Sequence, residues 1–385
     1  MVCPWAVKSN IPMEERLPMP CREEETSVFW IETDQELADA VATWDNCVGL
    51  DTEFIRTDTF YPIPGLYQVA SGSQVFLIDP LTVEDWQPFI AFLTDPEAVI
   101  VMHACQEDLE MLHHHLQVQP TSIFDTQFAN AFTGVDYSLS YANLVQRSVG
   151  VELHKQETRS NWLQRPLTEE QLTYAADDVI YLVPMYRVLQ QTLQESGREG
   201  WFAEDMSIRG RYQEPDPGAY YAQVKRAWQL PQRDLARLQA LCRWREKAAR
   251  HFDLPRNRLV WDDHLLTMAR EPSVNLGMLR GLLPPPIFKK YANALVDAHA
   301  NGCTANLPDL LDRPLTTAQS ARVKALRAVG AEQAQTLGIA PELLARRKDV
   351  ELCLRQYLQT GELSPLFLGW RDLLVGEAFR DILSR

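Results

Sequence analysis

Two strand-like runs, Gly65-Leu66-Tyr67-Gln68-Val69-Ala70 and Gln74-Val75-Phe76-Leu77-Ile78, are separated only by Ser71-Gly72-Ser73. So short a link joins antiparallel neighbours. Elsewhere, up to about residue 200, apolar strand-like runs (28–31, 48–54, 98–102) alternate with helical patterns. Two of the helices open on capping-box sequences, Thr33-Asp34-Gln35-Glu36 and Thr168-Glu169-Glu170-Gln171. Alternation favours parallel pairs and the hairpin adds antiparallel ones, so the sequence predicts an α/β unit with a mixed β-sheet flanked by helices.

One of these strands carries chemistry. In Val48-Gly49-Leu50-Asp51-Thr52-Glu53-Phe54, two carboxylates lie two residues apart. On a strand they share a face, while Leu50, Thr52 and Phe54 take the other. Two like charges so close resist joint ionisation unless a cation lies between them, and hard divalent cations take oxygen ligands. The plain alternative is an acidic edge strand in solvent.

Further carboxylates follow on other elements. Residues 98–102 run into His103-Ala104-Cys105-Gln106-Glu107-Asp108-Leu109 and a helix, with Asp108 in its first turn, where it also complements the helix dipole. Asp125 is a rival, or a helix N-cap. Tyr174 and Asp178 are four residues apart on one face of a long amphipathic helix, with Asp177 about 100° round. Pro184 should kink or divide that helix. His113-His114-His115, with Glu110 at i,i+3 to the first, offers a zinc reading, but three consecutive residues cannot share a helix face. Between 154 and 162, a polar loop holds Lys155, Arg159 and Trp162. Cations and an aromatic ring suit a phosphate backbone and a stacked base; a solvated loop anchored by Trp162 is the alternative.

The net charge of −15 argues against a nucleic-acid partner, but it is unevenly spread. Residues 1–224 hold 12 Lys+Arg against 35 Asp+Glu, and residues 225–385 hold 25 against 17. Such asymmetry points back toward nucleic acid. The seven cysteines form no C-x-x-C, which fits a reducing, cytoplasmic setting. No apolar run reads as a membrane span. The organisation expected is an N-terminal extension (1–26, expected from its composition to be disordered), an α/β domain (27–206), a Pro-rich linker (207–224), a helical domain (225–302), a linker (303–317) and a second helical domain (318–385). Trp370-Arg371 echoes Trp244-Arg245 and suggests a diverged repeat.

Asp51-Thr52-Glu53-Phe54, then His103-Ala104 with Glu107-Asp108-Leu109, then Tyr174-Ala175-Ala176-Asp177-Asp178 closely resemble the three motifs of the DEDDy 3′→5′ exonucleases. Leu77-Ile78-Asp79-Pro80-Leu81, Phe124-Asp125-Thr126-Gln127, and Arg159 and Trp162 before Arg165-Pro166-Leu167-Thr168 narrow the resemblance to bacterial ribonuclease D. Residues 225–300 are similar to the HRDC (helicase and ribonuclease D C-terminal) domain, through Trp244-Arg245, Asp253-Leu254-Pro255, Val260, Asp262 and Leu265. The resemblance departs at His154 and Asn161, where ribonuclease D tends to carry acids, and in the diverged second helical domain.

The resemblance implies a ribonuclease H-like exonuclease domain followed by two all-α HRDC-type domains. It implies a monomer that trims tRNA precursors and other small structured RNAs from their 3′ ends, releasing nucleoside 5′-monophosphates. The cofactor implied is a pair of divalent ions, both Mg²⁺, with Mn²⁺ as the alternative metal. Asp51 would bridge both ions, Glu53 and Asp178 would complete the first site, and Asp108 would hold the second. Tyr174 would orient or deprotonate the attacking water. Gln68, His103, Lys155, Arg159 and Trp162 are the expected RNA contacts. The rival readings are a DNA-directed exonuclease with the same site and a catalytically inert RNA-binding protein.

Overall fold

The computed structural model describes residues 26–153 and 160–385, so the N-terminal extension and the loop residues His154, Lys155 and Arg159 lie outside the described residues. Six strands form one mixed sheet: β1 Ser27–Ile31, β2 Cys47–Ile55, β3 Ile63–Ser71, β4 Gln74–Ile78, β5 Val99–Met102 and β6 Ile123–Asp125. Their spatial order is β1-β4-β3-β2-β5-β6. The β3–β4 hairpin and the β2–β3 pair are antiparallel, and β1–β4, β2–β5 and β5–β6 are parallel. The mixed sheet is therefore the one the short 71–73 link demands. β6 is an addition: three residues are too few to show a strand period.

The helices of this unit are α1 Asp34–Val41, α2 Gln87–Thr94, α3 Gln106–Leu116, α4 Thr126–Thr133, α5 Tyr141–Val149, α6 Glu169–Ile180, α7 Leu182–Glu195 and α8 Glu199–Arg209. Both capping boxes form, at Thr33 with Glu36 and at Thr168 with Gln171. The long helix divides at Tyr181, leaving Pro184 in the first turn of α7, where its missing N–H costs nothing. Helices α1, α2 and α3 cover one face of the sheet, sharing a core with Leu50, Tyr67, Val69, Phe76 and Ile78. Helices α4 to α8 cover the other, over Leu66, Ala70, Val75, Leu77 and Val101. Gly49 sets the second packing: a side chain there would meet Val179 O at 2.8 Å and Leu182 Cβ at 2.9 Å, so only glycine lets the α6–α7 junction lie on β2.

Beyond residue 224 the chain is helical. Helices α9 Gln232–Phe252, α10 Arg256–Leu259, α11 Asp262–Arg270, α12 Leu276–Leu282 and α13 Pro285–Thr304 enclose a separate core. Helices α14 Thr317–Leu337, α15 Glu342–Ala345, α16 Arg347–Thr360 and α17 Glu377–Ser384 instead share their core with the exonuclease-side helices α4 to α8. There Trp370 stacks on Trp201 at 4.9 Å, and buried Arg371 pairs with Asp205 through two hydrogen bonds, one of 2.7 Å. The Trp-Arg echo does not mark equivalent places: Trp244 lies within the first long helix of its unit, whereas Trp370 precedes the last helix of the other.

Candidate active site

Strand β2 delivers Asp51 and Glu53 to the face covered by α6, and Gly49 brings α6 down beside them. Asp178, in the last turn of α6, completes the set. Carboxylate oxygens of Asp51, Glu53 and Asp178 all lie within 4.8 Å of one another, and no other such group of three occurs among the described residues. Tyr174, one turn before Asp178, lies on the same face of α6 and beside its carboxylate.

Asp108 reaches the site from the opposite side of the sheet. It sits in the first turn of α3, is 7% exposed, and accepts a short hydrogen bond from Thr52 Oγ1. Its charge is felt by both Asp51 and Glu53. Asp125 is spent elsewhere: it caps α4, accepting from Gln127 N at 3.0 Å and Phe128 N at 3.1 Å, and also holds Ala104 N at 3.0 Å. Glu107 is exposed.

The electrostatics are those of a cation site. Burial and then the charges of Asp108, Asp178 and Glu53 push the Asp51 carboxyl well above its ordinary range. Burial, with Asp178 and Asp108, raises Glu53 to about 8. Burial raises Asp178 to about 7 against the Tyr174 hydrogen bond, and Asp108 to about 6 against the Thr52 bond. Four acids that would otherwise repel one another, three of them with converging oxygens, form a donor set suited to hard divalent ions. Tyr174 is raised as well, by burial and then by Asp178 and Glu53, so its hydroxyl keeps its proton.

The expected RNA contacts fare differently. Lys155 and Arg159 lie outside the described residues. Gln68 stands opposite Asp51 in the β2–β3 ladder and is fully buried. Trp162 is 4% exposed, packed near Tyr174 and against Gly65, where a side chain would come within 2.6 Å of its Cβ. Gln68 lies beside Asp51 with neither side-chain amide atom hydrogen bonded among the described residues, and Trp162 packs into its own loop. His103 is half-buried, with Nδ1 2.9 Å from Thr126 Oγ1. The triple histidine does not converge: His115 Nδ1 meets the Tyr67 hydroxyl at 2.7 Å, while His113 and His114 pack on Tyr212.

Two residues of the site are not evident from sequence. Thr52 reads there only as a residue of the far face, with nothing to indicate its partner. Tyr141 donates to the Asp177 backbone carbonyl at 2.8 Å, bracing α6 beside Asp178; nothing in its helical surroundings marks it in the sequence.

The fold and the converging carboxylates define an exonuclease. Residues 28–194 match the family model for a 3′-5′ exonuclease, and residues 234–298 match that of the HRDC domain. The chain is 40% identical to ribonuclease D of Pseudomonas paraeruginosa, over 93% of this chain and 98% of that one. It is 35% identical to ribonuclease D of Escherichia coli over 92% of this chain and 98% of the relative. The crystal structure of E. coli RNase D, described as an exoribonuclease involved in structured RNA processing, superposes with a TM-score of 0.83 at 34% identity, covering 92% of this chain and 98% of that one. The chain belongs to the ribonuclease D family. It is a hydrolase, a 3′→5′ exoribonuclease that acts on RNA with the help of divalent metal.

Proposed function

We propose that the chain removes nucleoside 5′-monophosphates from RNA 3′ ends by two-metal hydrolysis, and that tRNA precursors and other small structured RNAs are its substrates. The observation that carries this is the convergence of Asp51, Glu53 and Asp178 oxygens within 4.8 Å, with Asp108 close enough to raise Asp51. Asp51, Glu53 and Asp178 would hold one ion, and Asp51 and Asp108 the other, with Mg²⁺ the expected metal. When bound, such a pair generates hydroxide at neutral pH and stabilises the leaving oxygen. The protein's own part is positional. Tyr174, one turn from Asp178 on the same face of α6 and raised so that its hydroxyl keeps its proton, is placed to orient the attacking water. Thr52 holds Asp108, and Tyr141 holds the end of α6. The substrate range is suggested by the likeness to E. coli RNase D, an exoribonuclease involved in structured RNA processing.

We further propose the domain limits 27–206, 225–302 and 318–385, the last being a second, diverged HRDC-like unit. Both helical units run from a long helix through a left-handed residue (Asp253, φ 48°; Gly338, φ 66°) into a short helix. In both, an arginine of the long helix donates to a carbonyl beside the short one: Arg245 to Val260 O at 2.7 Å, Arg327 to Ala345 O at 3.0 Å.

The test is digestion of labelled RNA and matched DNA overhangs, with and without EDTA, by wild type and Asp51→Asn. Mononucleotide release from RNA that both EDTA and the substitution abolish is the expected result. Preferential hydrolysis of DNA, or activity surviving in Asp51→Asn, would refute the reading.

A further inference from the structure

The connection between β2 and β3, residues 56–62, leaves the strand of Asp51 and Glu53 and meets the first helical unit. Asp253 Oδ1 accepts two hydrogen bonds there, from Phe60 N and Tyr61 N, each 2.9 Å. The Phe60 ring lies under the guanidiniums of Arg256 (5.0 Å) and Arg250 (5.9 Å), and Arg258 pairs with Asp58 at 2.6 Å. The same connection is fastened to α3. Arg56, three residues beyond Glu53, donates from both terminal nitrogens to Glu110, two residues beyond Asp108, and from Nε to Phe60 O at 2.9 Å. Tyr61 packs on His114 of α3 at 4.2 Å.

Asp253 is an expensive choice for this place. It ends α9 in the left-handed region, where glycine is the unstrained residue. Gly338 occupies the matching position after α14. An aspartate at a position that favours glycine points to work done by its carboxylate, and that carboxylate is turned to the exonuclease unit.

We infer that Asp253 is a positioning residue for the exonuclease reaction: through residues 56–61 it fixes Glu53 on β2 and Asp108 on α3 in one arrangement. The HRDC unit then contributes to the chemical step as well as to any grip on RNA. The inference rests on Glu53 and Asp108 being catalytic carboxylates.

The test uses the full chain and a short single-stranded RNA, with kcat, KM and Mg²⁺ requirement measured separately. Asp253→Gly removes the carboxylate and keeps the left-handed cap. It should lower kcat by between about tenfold and 100-fold, the scale of a small misplacement of catalytic groups, leave KM unchanged and raise the Mg²⁺ needed for half-maximal rate. Asp253→Asn, which keeps an acceptor oxygen, should recover most of the loss. Arg56→Gln should reproduce the glycine variant's defect, and the double variant should be no worse, because both act through one path. Amide hydrogen exchange at residues 56–61 should quicken while α9 stays protected. If α9 loses protection too, Arg56→Gln alone decides, since it leaves the helical unit intact. Unchanged kcat with raised KM, or additive losses, would overturn the inference. Full activity in Asp178→Asn would instead overturn the site assignment, so the two failures are distinct.

Discussion

Thr52 Oγ1 donates a hydrogen bond to Asp108 Oδ1, on the face of the sheet that α3 covers and across 56 residues of chain. The residue between the two carboxylates of β2 thereby holds a third, carried by a helix on the opposite face. A hydrogen bond to a charged group contributes about 1.5–3 kcal/mol, so Thr52→Val should cost roughly tenfold or more in kcat. The bond also restrains the Asp108 carboxyl, which burial raises to about 6. Its loss raises that value further in the metal-free protein, so proton and metal compete more evenly for this carboxylate and at pH 6 Thr52→Val should need more Mg²⁺ for half-maximal rate than wild type, a gap that closes by pH 8. Mg²⁺ titrations of both proteins at the two pH values check this.

Metal-free stability should fall as pH rises. Asp51, Glu53, Asp108 and Asp178 all have folded-state values above their ordinary ones. Below about pH 4 both folded and unfolded chains are protonated, and these groups add no difference. Above it the unfolded chain ionises first, so stability is lost progressively until the pH passes the folded values of about 6 to 8. In EDTA, Tm should decline from pH 5 to pH 8, and Asp51→Asn should melt higher than wild type at pH 8. Saturating Mg²⁺ should reverse the ranking, because it stabilises only the intact site. Thermal denaturation with and without metal reads both.

Asp178→Ala removes one of the three converging carboxylates. Loss of a residue that merely supports a metal ligand costs 10–100-fold, so loss of the ligand itself should exceed about 100-fold in kcat. Mg²⁺-induced stabilisation should shrink in parallel, which calorimetric titration measures. Tyr174→Phe should separate the two effects. Its hydroxyl lies beside Asp178, stays protonated and is not itself a metal ligand, so kcat should drop by about 100-fold while Mg²⁺ stabilisation persists.

Arg165 should matter for folding rather than chemistry. It clamps Asp79, whose side chain is 3% exposed, through two hydrogen bonds of 2.6 Å. It also donates to Gly65 O at 2.8 Å and Trp162 O at 2.9 Å, pinning the Trp162 loop to β3. Arg165→Met strands a buried carboxylate and should cost about 3–5 kcal/mol in urea denaturation. Asp79→Asn should be milder, since the Arg165 guanidinium left behind is partly exposed and keeps the Trp162 and Gly65 carbonyls as acceptors.

The elements of the sheet were legible because each has a local cause. Capping boxes fixed the starts of α1 and α6, the 71–73 link fixed a hairpin, and Pro184 marked the division of a helix. Elements without a local cause were not legible. β6 is three residues long and forms by pairing with β5. Helix α8 occupies part of what reads as linker, because its partner Trp370 is supplied from far along the chain. The loop tryptophan Trp162 reads equally well in sequence as a stacking platform or an anchor, and its burial comes only from tertiary packing.

The candidate site divides along the same line. Sequence by itself determined that Asp51 and Glu53 share a face and that Tyr174 and Asp178 share another, since strand and helix periods are local properties of the backbone. Which acids meet depended on tertiary structure. Gly49 admits α6 to the strand, Asp125 is consumed as a cap, and Thr52 holds Asp108 from the far face of β2. The docking of Asp253 on residues 60 and 61 is likewise invisible in sequence, because its partners are backbone amides, identical for every residue type but proline. Such contacts are fixed by long-range packing alone, and they place the carboxylates where a cation can join them.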